Sequence, residues 1–261
     1  MAIDKINDTS FSAIAEANDT LKANIANVAG VNVPSSGGSD IVFSDVTYSS
    51  FDGTISQTIP FNVTLPGTAT SGDFAMVLYT NDFPISGNFT PTPSGWTLQQ
   101  FVGSNQSDNH LLVFTRILDG TEGSTLPIFA AFTLNGRGGM AWAMVCENID
   151  TTNPVGTNTT VISSSGTSMT VPAATSASAG TFICYVGFDG ADGDPITMSN
   201  NGGFTFTLGG SGDVPVGGGS SHVTSEWKFA TIPASTSTGS TDVTFQKSDG
   251  KAGMHLMLQR A

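Results

Sequence analysis

From about residue 41 onward, apolar residues alternate with polar ones or gather in short runs, and Gly, Pro, Ser, Asn and Asp punctuate them. The segments "DIVFSDVTYS", "ISQTIPFNVTL", "DFAMVLYTN", "WTLQQFVG", "HLLVFTRIL", "LPIFAAFTL" and "GMAWAMVCENI" read as strands, because Val, Ile, Phe, Thr and Tyr suit a pleated, half-buried surface. "PGTATSGD", "PTPSGW", "GSNQSDN", "LDGTEGS" and "NGRGG" separate them as turns. A strand start every ten or so residues predicts an antiparallel sandwich or jelly roll, not a parallel α/β sheet.

The pattern occurs twice. "TLPGTATSGDFAMVLYTND" (64–82) parallels "TVPAATSASAGTFICYVGFDG" (170–190), and "SGWTLQQF" (94–101) parallels "GGFTFTLG" (202–209). "NHLLVFTRIL" (109–118) parallels "SHVTSEWKFA" (221–230), and "LNGRGGMAWAMVCENI" (134–149) parallels "SDGKAGMHLMLQRA" (248–261). Order and spacing agree, which predicts a duplicated β unit: residues 41–155, then 156–261, joined near "DTTNPVGTNTT" (150–160). The pattern leaves open whether the halves form two sandwiches or share one core. Sharing buries more area per residue.

Residues 5–30 follow a different period. "KINDTSFSAIA" (5–15) overlays "EANDTLKANIA" (16–26) at a spacing of eleven, which is three helical turns. Phe11, Ile14, Leu21, Ile25 and Val28 then form one apolar stripe on a helix that Asp8, Thr9 or Ser10 caps and Gly30 ends. The rest of that helix is polar, so alone in water it is marginal and needs a partner surface. The partner is the chain's own β part, a symmetry mate or another protein. "NVPSSGGSD" (32–40) reads as a flexible linker and favours an outside partner, making residues 1–40 an attachment and oligomerisation segment. The predicted fold class is mainly β: an N-terminal helix and linker, then a duplicated antiparallel β-sandwich of jelly-roll type.

Charge narrows the partners. Only 11% of residues are charged, about half the usual share, and the net charge is −13. That balance disfavours nucleic acid and an anionic membrane surface as partners. The N-terminus "MAIDKINDTS" has neither the basic nor the apolar part of a signal peptide, and no apolar run reaches the ~18 residues of a membrane span. The expectation is assembly in a cytoplasm, with Cys146 and Cys184, both inside apolar runs, as buried free thiols.

Several short motifs resemble a sandwich family of bacteriophage virion proteins and bacterial surface proteins. They are Gly72-Asp73 before an apolar strand, Pro93-Ser94-Gly95-Trp96, Arg116 at a strand end, Trp142, and the joint "ENIDTTNPV". "ANIANVAGVNV" (23–33) resembles the short N-terminal repeats of marine phage structural proteins. The second half departs from the pattern, with "GGFTF" where "P-x-GW" stands in the first. The resemblance implies a structural or adhesive role and carries over no catalytic residue. It points to a virion component, such as a capsid decoration, appendage or fibre-like protein. The expected partners are other copies in a homotrimer, other virion proteins and a host-surface glycan.

Candidate chemistry is sparse. Trp96 follows a turn and is the candidate glycan contact, since a flat aromatic face stacks on an apolar sugar face. Trp142 alternates with Met140 and Met144 and reads as core. "DGADGD" (189–194) groups Asp189, Asp192 and Asp194, oxygen ligands of the kind Ca²⁺ takes, although the spacing is not that of an EF-hand and an acidic surface loop is the commoner explanation. His110 and His222 fall at matching strand starts. Of the four Glu, Glu147 and Glu226 flank apolar strands and would be the carboxylates of a glycosidase if there were one. Serine-hydrolase, zinc-protease and phosphate-loop motifs are absent, so neither catalysis nor a cofactor is predicted.

Overall fold

The computed structural model describes residues 39–51, 58–81, 93–103, 109–133, 138–163, 165–190, 196–216 and 221–261. The predicted helix and its stripe Phe11, Ile14, Leu21, Ile25 and Val28 lie outside them. Among the described residues every element is a β-strand and every pairing is antiparallel. Residues 40–261 make one compact unit.

The first half contributes β1 (Val42–Phe51), β2 (Thr58–Thr64), β3 (Phe74–Asn81), β4 (Thr97–Val102), β5 (His110–Ile117), β6 (Thr125–Thr133) and β7 (Gly139–Glu147). The second contributes β8 (Thr159–Ser163), β9 (Ser168–Val171), β10 (Gly180–Gly190), β11 (Thr197–Asn200), β12 (Thr207–Val216), β13 (Ser221–Ile232), β14 (Thr241–Thr244) and β15 (Lys251–Gln259). Each predicted strand of the first half corresponds to one of β1–β7.

Four sheets result, ordered β1-β7-β3-β5-β4, β12-β13-β10-β15-β8, β11-β14-β9 and β2-β6. Exchanging β1, β7, β3, β5 and β4 for β8, β15, β10, β13 and β12 turns the first order into the second, read backwards. The duplication seen in the sequence is therefore carried strand for strand in the two five-stranded sheets. Within the second half the first, third, fifth, sixth and last strands share one sheet and the second, fourth and seventh the other, so the chain passes back and forth between the two sheets except at the β12–β13 hairpin. That is jelly-roll winding.

The strand sequences explain why the layers stack. β3, "FAMVLYTN", is buried at every position, so both of its faces must be covered. Phe74, Met76 and Leu78 face a central core with Met140, Trp142 and Met144 of β7, Leu111 and Val113 of β5, Ile183 and Tyr185 of β10, and Trp227 of β13. Ala75, Val77 and Tyr79 face an outer core with Leu112, Phe114 and the β2 residue Val63. β10 repeats the division: Ile183 and Tyr185 point to the centre, while Cys184, Val186 and Phe188 point to a second outer core with Met169, Val171 and Val243. The two five-stranded sheets thus pack face to face, β3 over β13, β5 over β10 and β15, and β7 over β12. Each carries a smaller sheet on its outer side, and the halves share the central core. Edge-to-face contacts cross it, Phe43 to Trp227 at 5.4 Å and Trp142 to Tyr185 at 6.1 Å.

One glycine permits this close stacking. A Cβ on Gly187 of β10 would stand 2.4 Å from Asn109 Oδ1, 2.7 Å from Leu111 Cδ2 and 2.8 Å from Thr80 Oγ1, all in the first half. Gly187→Val is expected to destabilise the protein by about 1–3 kcal/mol through overpacking, read as a lower urea midpoint.

Candidate functional site

The motifs behind the family resemblance prove to be structural joints. Pro93 to Trp96 is a β-turn in which the Trp96 N–H donates to the Pro93 carbonyl at 3.0 Å. Gly95 has φ +81°, as the third position of a type II turn requires. A Cβ there would also lie 2.5 Å from the Arg116 guanidinium. Arg116 reaches Asp119 at 2.7 Å and Glu122 at 3.0 Å, and Glu122 accepts from the N–H groups of Asp119 and Gly120. Gly72, at φ +95°, donates its N–H to the Leu118 carbonyl, and Leu118 donates to that of Asp73. Together these clamp the start of β3 to the end of β5. In the joint between halves, Asn148 takes φ +60° and the Asp150 carboxylate accepts from the Thr152 and Asn153 N–H groups.

The turn at Pro93 aims Trp96 inward. Trp96 is 5% exposed and belongs to the first outer core with Leu112 and Phe114. It does not present an open ring face, and the expectation of a glycan platform at Trp96 is corrected accordingly. Trp142 is core as well. Asp189 is half-buried near the end of β10 and its N–H donates to the Gly250 carbonyl, while Asp192 and Asp194 lie outside the described residues. Among the described residues, no three His, Cys, Asp or Glu side chains stand where they would hold a metal ion. His110 opens β5, is buried, and stacks on Phe101 at 5.6 Å. His222, the second residue of β13, meets Asp213 at 2.8 Å, and Asp213 also accepts from Thr224.

Several buried groups with chemical potential are engaged inside the fold. Cys146 and Cys184 are buried free thiols; burial raises the pKa of both, that of Cys184 to about 12, which suppresses thiolate reactivity. The Lys251 ammonium donates to the carbonyls of Ser165, Gly166 and Asp249 and lies 5.5 Å from the Phe245 ring centre. Burial pulls its pKa down and Asp249 counteracts that. His255 sits between the hydroxyls of Thr238 and Thr241, at 3.1 and 2.9 Å.

The larger of two open sites among the described residues lies in the second half; the other, about 270 Å³, lies in the first half beside Leu65 and Leu118. β11 pairs only with β14, and β12 pairs with β13 rather than with β11. The two sheets of this jelly roll therefore part along the β11–β12 edge, leaving a cleft of about 620 Å³. Met198, Ser199 and Asn200 of β11 form one wall and Leu208 of β12 the other; Phe204 and Phe206 lie on the crossing loop, and Glu226 and Lys228 face in from β13. Glu226 and Lys228 are two apart on a strand and so share a face. Their Oε1 and Nζ atoms are 2.9 Å apart.

The walls are fixed from behind. The Asn200 amide oxygen accepts from the N–H groups of Gly202 and Phe204, and its NH₂ donates to the Thr238 carbonyl and the Thr241 hydroxyl. Phe204 and Phe206 pack edge-on against Phe182 at 5.3 and 5.6 Å. Leu208 precedes a β-bulge at Gly209, whose missing Cβ would lie 2.2 Å from the Trp227 ring. The bulge lets the backbone lie against that ring and leaves Leu208 58% exposed, the most exposed large apolar side chain among the described residues. Sequence reading named Glu226 without its setting. The available signal was the alternation in "SEWKF", with Glu226 and Lys228 on one face and Trp227 on the other.

The chain matches no known protein family, no curated protein and no solved structure.

Proposed function

We propose that this chain is a structural component of a bacteriophage particle, a capsid decoration, appendage or fibre-like protein. Residues 1–40 attach it and the β unit faces solvent. The observation that carries the reading is the boundary of that unit: it begins at Asp40, where the linker read in the sequence ends. The described chemistry supports it too, since buried thiols, lysine and histidine serve packing. A net charge of −13 suits a surface component present in many copies. Deletion of residues 1–33 is expected to leave a folded β unit, with a β-type circular dichroism spectrum and a cooperative unfolding transition, that no longer joins particles. Full occupancy of particles by the truncated protein would refute the attachment role.

A second reading, a carbohydrate-binding adhesin, is favoured by the cleft between β11 and β12. The two readings are compatible, because a particle protein can also touch a cell surface.

A further inference from the structure

We propose that the cleft between β11 and β12 binds a neutral saccharide, with Leu208, Phe204 and Phe206 taking the apolar face of a sugar ring and Glu226 and Lys228 taking its hydroxyls. The proposal is independent of the particle role, since it concerns the cleft wherever the chain resides. Four observations carry it. The volume, about 620 Å³, falls within the range of about 300–1,000 Å³ typical of small-molecule sites. The apolar lining is held in place: two Phe rings braced on Phe182, and a Leu turned outward by a bulge that only glycine allows at Gly209. An apolar wall facing water is costly unless something covers it.

The polar side is the third. Glu226 is 8% exposed, and its Oε1, shut off from solvent, lies 2.9 Å from the Lys228 ammonium, so the two side chains are fixed as a pair at the cleft. A carboxylate–ammonium pair held at the cleft wall gives it a polar edge against which ligand hydroxyls can bond. Lys228 supplies the matching donor, and a hydroxyl is both donor and acceptor. The fourth is charge balance. Glu226 and Lys228 offset each other, so the cleft selects neither an anion nor a cation. A ligand with one C–H face and a fringe of hydroxyls, and with no net charge, fits all of these features. Asn200 is absent from this list of contacts because its amide is engaged internally; it positions the lip that carries Phe204.

The test uses the full chain, fluorescently labelled, on an array of neutral and sialylated oligosaccharides, with the strongest neutral hit titrated calorimetrically. Binding to neutral glycans is expected, and Leu208→Ser and Glu226→Gln should each weaken it about tenfold or more. Leu208→Ser removes an exposed side chain, so its unfolding midpoint should match that of the parent. Ile162→Ser, at an exposed apolar residue on β8 at the far edge of the same sheet, should bind as the parent does. Absence of neutral-glycan binding, binding confined to sialylated glycans, or binding that neither cleft substitution weakens would each overturn the proposal. Particle occupancy of the Leu208→Ser protein, measured in parallel, reports on the attachment role separately.

Discussion

Trp227→Ala is expected to lower the stability of the whole β unit by about 3–5 kcal/mol, in one transition shared by both halves. Trp227 belongs to the second half by sequence, yet it is fully buried in the central core. It packs on Phe43 of β1 and stacks on Phe229 of β13, and its ring lies against the Gly209 backbone. Truncation removes that burial and leaves a cavity between the two large sheets, which rigid strands cannot collapse to fill. At this chain length the loss corresponds to a fall in Tm of about 10 °C. The chain has three Trp, so the variant retains Trp96 and Trp142, both in the first half. Their fluorescence then reports how that half responds to a lesion in the other. If the halves share a core thermodynamically as well as geometrically, Trp fluorescence and circular dichroism shift to the same lower midpoint. A fluorescence midpoint left at the parent value, with only the dichroism displaced, would show that the halves unfold independently.

This coupling bears on the proposed role. A duplicated jelly roll with one central core has no hinge between its halves at the level of packing. The joint itself is tied down: Asp150 and Gly156 donate their N–H groups to the carbonyls of Gln259 and Met257 in β15. A rigid unit suits a component that must hold one shape on a particle surface.

Much of the fold was legible in the sequence, for a physical reason. Continuous apolar runs such as "FAMVLYTN" and alternating ones such as "DIVFSDVTYS" differ because the first is covered on both faces and the second lies at a sheet edge. The duplication was legible because strand order and spacing survive where side chains do not. Trp96 was misread because the Pro-Ser-Gly signal marks a surface turn, and sequence does not say which way such a turn aims the next residue. The hydrogen bond from Trp96 to Pro93 and the positive φ of Gly95 decide that, and they aim the ring inward. The cleft was illegible for a deeper reason. It exists because β12 pairs with β13, the next strand along the chain, and not with β11, the strand before it, and the apolar pattern of a strand does not say which neighbour it takes. Trp227 was overlooked because its neighbours Glu226 and Lys228 make the strand look solvent-facing, whereas they face the cleft and Trp227 the core.

Stability should also fall on acidification, and His255 is one residue that makes it do so. Burial, in a pocket formed by Thr238, Thr241 and the Phe182 ring, lowers its pKa from the ordinary 6.5 to about 4, with the Pro172 backbone opposing the shift. Above pH 6.5 the imidazole is neutral in both folded and unfolded chains, so it contributes no pH dependence. Below that value the unfolded chain takes up a proton that the folded chain does not, until the pH reaches about 4. The stability therefore declines across this window as pH falls, by about 1.4 kcal/mol per pH unit at the steepest and about 3 kcal/mol in all. Carboxylates titrate in the same range, so the parent profile alone does not isolate the histidine. His255→Gln does, because an amide keeps a donor and an acceptor for the two threonines and has no proton to gain. Urea unfolding at pH 7, 6, 5 and 4 should give a difference between parent and variant that moves in the variant's favour by about 3 kcal/mol from the top of the series to the bottom. Parallel profiles for the two proteins would mean that His255 protonates as readily in the fold as outside it, and that its two threonine contacts do not hold it neutral.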